Sequence, residues 1–216
     1  MIAKVYIDTN VLKFSATQLQ RYRPRTQKIN WGGRELEVTV NDLVCVNPNE
    51  TIKNPELKIE AELLPVLAEA GKAGVIKYVI QMEALFESWG IPKMKSETGT
   101  FYDAPYECVE APVKYSRTLV GAGFDPKEMQ FRFLSSIKNK RFIELQKLTG
   151  AYQGSGKLNR NQLLDAFHLW CAEHNGCDYF LTLDFKLIRV VGKQKGRFLS
   201  EVVKPSELMS RIGLNT

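Results

Sequence analysis

Histidine occurs only twice in the 216 residues. The four cysteines, Cys45, Cys108, Cys171 and Cys177, never take Cys-x-x-Cys spacing. These two scarcities exclude a zinc site built from cysteine and histidine. The cysteines read instead as reduced, cytosolic and mostly buried. No Gly-x-x-x-x-Gly-Lys occurs, which excludes a nucleotide-binding P-loop. No apolar run is long enough to span a bilayer. No secretory leader precedes the first strand, because Lys4 interrupts it and Asp8 follows at once. The expectation is a cytoplasmic protein with no membrane contact.

What is present is an ordinary globular mix, 44% hydrophobic and 25% charged. Thirty Lys and Arg against twenty-four Asp and Glu leave a net charge of +6. A basic surplus favours acidic partners, nucleic acid above all, although a soluble basic protein with no such partner has the same balance. The length suits one domain with insertions, here at about 21–60 and 93–153.

The chain is organised around its first strand. Ile2–Ile7 is mostly apolar and runs straight into Asp8-Thr9-Asn10, so a carboxylate ends a buried strand. A short helix holding Val11, Leu12 and Phe14 follows and fades near the basic stretch Arg21–Arg25, broken by Pro24. Residues 26–31 and 34–46 flank Gly32-Gly33, a hairpin signal. Asn47–Glu56 reads as a polar loop and Lys58–Ala70 as a helix bent at Pro65. Val75–Ile80 reads as a second parallel strand, leading into a helix over Met82–Trp89.

Lys93–Val113 carries no clear pattern. Asp125-Pro126-Lys127-Glu128 opens a helix expected to run to Gly150, with Lys138, Lys140, Arg141 and Lys147 on a wet face that would be merely solvated or hold RNA. Gln153–Lys157 is a Gly/Ser loop, and Asn159 caps a helix to His174. Asp178–Leu183 is another buried strand, with Asp184 at its end. The short segment Phe185–Val191, a last strand over Phe198–Val203 and a closing helix over Pro205–Arg211 complete the chain. Strands alternating with helices predict an α/β fold with a mostly parallel sheet flanked by helices and an inserted β-hairpin.

Four carboxylates fall where such a fold gathers ligands. Asp8 and Asp184 end parallel strands, Glu87 lies two turns into the helix after the second strand, and Asp165 lies in the helix before the Asp184 strand. Taken alone, Asp8 reads rather as an N-cap, and the other three carboxylates reverse that reading. Several carboxylates at one sheet edge suit a hard cation such as Mg²⁺ or Mn²⁺, which takes oxygen ligands and activates water for displacement at phosphorus. A haloacid dehalogenase type of phosphatase needs a second aspartate two residues after Asp8, and Asn10 stands there.

The stretch around Asp8-Thr9-Asn10-Val11-Leu12 resembles the opening of a PIN-domain ribonuclease. Ile80–Glu87 is similar to that family's second acidic motif. The run from Leu164-Asp165 to Thr182-Leu183-Asp184 resembles its third and fourth, and Glu201–Leu208 its final strand and helix. The matched stretches cover somewhat under half the chain, in the family's order. The resemblance implies a five-stranded parallel sheet and a metal-dependent nuclease acting on RNA. Its catalytic and metal-binding acids map onto Asp8, Glu87, Asp165 and Asp184, with Mg²⁺ or Mn²⁺ as cofactor. It also implies a homodimer in many members and, in some, a toxin held inactive by a small antitoxin-like protein.

Two departures stand. Gln81 occupies a place usually held by Ser or Thr, and Glu83, one turn before Glu87, is an alternative second acid. Length beyond the compact toxins weighs against the toxin role. A non-catalytic RNA-binding or scaffold protein on the same fold is the rival reading.

Around the acids, Asn10 and Thr182 read either as groups orienting Asp8 and Asp184 or as local turn formers. His168 reads as a substrate or carboxylate partner, or as a structural histidine. Lys186 and Arg189 read as phosphate contacts or as plain surface charge. His174 and Asp178 read as capping residues.

Overall fold

In the computed structural model, residues 2–89, 94–95, 100–115, 125–150, 160–194 and 196–214 are described. The chain opens with β1 (Ala3–Ile7) and α1 (Thr9–Phe14), then a long ribbon of β2 (Gln18–Trp31) and β3 (Arg34–Val46). Helices α2 (Pro55–Glu62) and α3 (Leu64–Lys72) lead to β4 (Ile76–Gln81) and α4 (Met82–Trp89). The two-residue β5 (Met94–Lys95) and β6 (Tyr106–Val109) follow. Then come α5 (Pro126–Ser136), α6 (Lys140–Thr149), α7 (Arg160–His174), β7 (Tyr179–Leu181), α8 (Phe185–Gly192), β8 (Glu201–Val203) and α9 (Pro205–Arg211).

The architecture is α/β. Five strands in the order β6-β4-β1-β7-β8 form an all-parallel sheet flanked by helices. The expected sheet and the separate hairpin are both present. Alternation along each strand splits the core in two. Val5, Ile7, Tyr78 and Leu181 pack with α3 and α9 on one face, while Tyr6, Val79 and Phe180 pack with α6 and α7 on the other. The order of winding reverses between β1 and β7. In open α/β sheets, that crevice at the strands' carboxyl ends is where ligands gather.

Several boundaries differ from the sequence reading. The helix expected over 125–150 is two helices, because Ile137 leaves helical geometry and Asn139 caps a new start, its Oδ1 accepting from the backbone N–H of Arg141 at 2.8 Å and of Phe142 at 3.3 Å. The patternless stretch 93–113 contains β6 and a left-handed turn, Thr100–Asp103, with positive φ at Phe101, Tyr102 and Asp103, which buries Phe101 edge-on against Tyr78. The basic stretch 21–25 is strand, with Pro24 paired opposite Asn41. Pro24 is tolerated because, among the described residues, β2 has no ladder partner on its other side there. The Gly/Ser loop 153–157 and Asn159 lie outside the described residues. Of the cysteines, Cys171 and Cys177 are buried, but Cys45 and Cys108 are exposed, contrary to the expectation of mostly buried thiols. Among the described residues, no helix is long and apolar enough to cross a membrane.

One glycine is fixed by close approach. A Cβ at Gly71 would lie 2.5 Å from Cε2 of Tyr78, a buried ring whose hydroxyl donates to the Leu67 carbonyl at 2.7 Å. The ring cannot swing away without losing that bond. Gly71→Ala is therefore expected to cost about 1–3 kcal/mol, as overpacking does, read as a lower urea midpoint with unchanged slope.

Candidate active site

The Asp8 carboxylate sits at the reversal point and is 5% exposed. It begins α1, with Oδ1 accepting from the Thr9 N–H at 2.8 Å. Its Oδ2 accepts from Asn10 Nδ2 at 2.6 Å and from the Thr182 hydroxyl at 2.7 Å. Asn10 Oδ1 in turn accepts from the Leu183 N–H at 2.8 Å. The Thr182 hydroxyl accepts from the Asp184 N–H at 3.0 Å. Asn10 and Thr182 thus stitch the end of β1 to the end of β7. Both readings of these residues hold together, since the turn chemistry is also what aims the acids.

Asp184 caps α8, its Oδ1 accepting from the N–H of Lys186 at 2.8 Å and of Leu187 at 3.0 Å. The Lys186 side chain is exposed, as is Arg189. Glu87 is turned toward β1. Its Oε2 accepts from the Thr9 hydroxyl at 2.8 Å and shares a 3.2 Å hydrogen bond with Nε2 of His168. Nδ1 of His168 meets the Tyr6 hydroxyl at 2.9 Å. His168 is 1% exposed and serves as a carboxylate partner through this bond to Glu87. Arg160 reaches Oε1 of Glu87 at 3.8 Å.

Asp165, one turn before His168, differs from the other three acids. No hydrogen-bond donor among the described residues meets its carboxylate. Burial and the charges of Asp8, Asp184 and Glu87 push it up to about 8, against the opposing pull of His168. Burial also raises Asp8, opposed by His168 and the Thr182 hydrogen bond. At Glu87, burial works upward but is outweighed by the hydrogen bond and charge of His168, the Thr9 hydroxyl and Arg160, so its carboxyl lies below the ordinary value. At His168, burial works downward, and the hydrogen bond and charge of Glu87, with Asp8 and Asp165, outweigh it and raise the imidazole. These mutual influences bring all four acids and His168 into one electrostatic cluster.

Glu83, the alternative second acid, belongs elsewhere. It is 1% exposed and accepts from the Tyr115 hydroxyl at 3.0 Å and from Gln130 Nε2 at 2.6 Å. Gln81 donates to the same Tyr115 hydroxyl at 2.9 Å and accepts from the Glu83 N–H at 2.6 Å. This network is a buried structural one, linked to the cluster through Arg160, which donates to Gln130 Oε1 at 3.0 and 2.5 Å. If this cluster is a metal-dependent active site, Glu87→Gln should lower its turnover by about a hundredfold, the upper end of what lost ligand-shell contacts cost. Glu83→Gln should leave turnover within a few-fold and cost about 1–3 kcal/mol of stability, because an amide cannot accept from both donors. Equal losses of turnover in the two variants would contradict this division.

The donor set fits a hard divalent ion. All four candidates offer oxygen, both oxygens of Asp165 are open, and the Oδ2 of Asp184 and Oε1 of Glu87 accept no hydrogen bond among the described residues. The fit is one of chemistry. Among the described residues, no three His, Cys, Asp or Glu side chains stand ready around a common point, since Asp8 and Glu87 are turned toward their hydrogen-bond partners.

Sequence reading missed Thr9, Tyr6 and Arg160. Thr9 lies inside the Asp-Thr-Asn motif and was legible in position but not in role. Arg160 stands 73 positions from Glu87 and carries no local signal. Elsewhere, Arg141 is committed to structure and withdrawn from any RNA-holding face. Its Nε and Nη2 donate to the two oxygens of Glu173 at 2.8 and 2.6 Å, and Nη1 donates to Glu144 at 2.8 Å. Asp178 accepts from the Lys4 N–H at 2.8 Å, a structural role. His174 ends α7 on the surface. No family model matches the chain, and neither does any curated protein or solved structure.

Proposed function

We propose that this chain is a metal-dependent ribonuclease with a PIN-like fold, hydrolysing RNA phosphodiester bonds at the carboxyl edge of its parallel sheet. The observation that carries the reading is Asp165. It is a carboxylate that no hydrogen-bond donor among the described residues meets, within the electrostatic reach of three other acids at the crevice between β1 and β7. The motif resemblance and the net charge of +6 support it.

Asp8, Glu87, Asp165 and Asp184 are the residues that would hold Mg²⁺ or Mn²⁺, whose chemistry when bound is to lower the pKa of water and offset charge on the phosphate. In hydrolysis, a water oxygen bonds to phosphorus, one phosphorus–oxygen ester bond breaks, and the water's proton ends on the leaving hydroxyl. Asn10 and Thr182 fix the Asp8 carboxylate, and His168 and Thr9 fix that of Glu87. Asp165 keeps both oxygens for the ion or for the proton of the attacking water. A non-catalytic RNA-binding protein is the second reading, favoured by the engagement of Asp8 and Glu87 with protein donors. Incubation of end-labelled RNA with Mn²⁺ or with chelator separates the two. Fragments only with Mn²⁺, and lost in Asp165→Asn, are expected; intact RNA in every lane would overturn the nuclease reading.

A further inference from the structure

The β2–β3 ribbon runs through thirteen facing residue pairs, from Leu19–Val46 to Trp31–Arg34, and among the described residues pairs otherwise only with β5 through Gln18 and Leu19. Gly32 and Gly33, both with positive φ, close its tip in the way a two-residue hairpin turn requires. No described residue of 18–46 joins either hydrophobic core. A two-stranded ribbon alone in water is marginal at best, so a partner surface is expected for it.

Register separates its two faces by charge, because directly paired residues share a face. One face holds Arg21, Arg23, Arg25 and Arg34 against the single acid Asp42. The other holds Lys28 with Glu35 and Glu37. Arg25 pairs with Asp42 at 2.9 Å, but no carboxylate among the described residues meets Arg21, Arg23 or Arg34. The three arginines of β2 recur every second residue, about 6.7 Å apart along the strand, a step close to that between successive phosphates of a single strand. Trp31, at the tip of the same face, is 73% exposed. A second copy of the chain docking like face to like face would set these arginines against themselves. A polyanion with stackable bases matches both features.

We propose that this face of the ribbon docks single-stranded RNA, with Arg21, Arg23 and Arg25 on phosphates and Trp31 stacked on a base. The choice of RNA rests on the nuclease reading; the ribbon's use as a docking surface does not. Fluorescence anisotropy with labelled U20 in chelator, over a salt series, tests it without cleavage. The wild type should bind with a steep salt dependence. The triple Arg21→Gln, Arg23→Gln, Arg25→Gln variant should lose at least about thirtyfold in affinity, and its log–log salt slope should shrink by about 2. Trp31→Ala should lose about tenfold with the slope kept, as loss of one stacked base does, and it decides the question if the triple variant fails to fold.

No binding of U20 by the wild type, or wild-type affinity in both variants, would overturn the proposal. So would equally tight, equally arginine-dependent binding of duplex RNA, or a dimer that the triple variant splits without changing U20 affinity. Mn²⁺-dependent cleavage by the same variants keeps the two readings apart. Ribbon-dependent binding without Asp165-dependent cleavage removes the nuclease and leaves the ribbon. Asp165-dependent cleavage with ribbon-independent binding does the reverse.

Discussion

Asp165→Asn is expected to slow Mn²⁺-dependent RNA cleavage by at least about a thousandfold, while the protein stays folded. The loss should be about as large as that of any double variant within the cluster, because residues that act as one unit do not add. Asp165 is the cleanest position to change. No donor among the described residues meets its carboxylate, so an amide there faces none of them with an N–H. Asp8→Asn should lose activity to the same degree but also lose stability. Asp8 accepts at Oδ1 from one N–H and at Oδ2 from Asn10 and Thr182, and an amide can satisfy only one of those two sides. The penalty for an unsatisfied buried partner is about 1–3 kcal/mol. Full cleavage by Asp165→Asn would remove it from the site.

In chelator, Asp165→Asn should melt higher than wild type at pH 9 by about 5–10 °C, given about 2–4 °C per kcal/mol for a chain of this size. The sign follows from proton linkage. The Asp165 carboxyl is raised from an ordinary 3.8 to about 8, so between those values the folded chain holds a proton that the unfolded chain has released. Stability is therefore lost as pH rises through that window, and the loss is complete above it. Asp8 is raised and pulls the same way. His168, also raised, contributes stability below its unfolded value that is lost as pH climbs through the folded one. Glu87 is depressed and acts oppositely, its contribution being lost only as pH falls through its lowered value. The variant's gain should shrink toward zero as pH falls to 4 and below, where the unfolded chain takes up the same proton. Thermal melts from pH 4 to 9 check this, and coincident curves at pH 9 would contradict it. Mn²⁺ at a hundredfold excess over its dissociation constant should restore about 2.7 kcal/mol to the wild type.

Much of this was legible in the chain itself. Apolar runs ending in Asp8 and Asp184 mark β1 and β7, Met82–Trp89 matches α4 to the residue, and Gly32-Gly33 fixes the hairpin turn. What escaped is decided by tertiary context. β6 is an edge strand of four residues, half exposed, with too short a run to show a period. The arginine stretch of β2 holds a single strand former, Tyr22, and contains proline, and its ladder with β3 makes it strand. Ile137 reads as helical by composition, yet Asn139 offers two N–H groups a better cap. At the site, Asp8 and Asp184 were visible because strand ends announce them, whereas Glu87 and Asp165, on helices, were picked out by the motif resemblance. Arg160 and the Tyr6–His168–Glu87 chain were not, because contacts across some 70 to 160 residues leave no local pattern. The choice between Glu83 and Glu87 needed the buried partners Tyr115 and Gln130.

The central claim is that Asp8, Glu87, Asp165 and Asp184 hold a divalent ion together. Electron paramagnetic resonance of Mn²⁺ titrated with protein reads this without any turnover. The wild type should quench the free-ion signal to a defined stoichiometry, and Asp165→Asn should leave most of it standing at the same concentrations. A free-ion signal untouched by the wild type, or quenched equally by Asp165→Asn, would contradict the account.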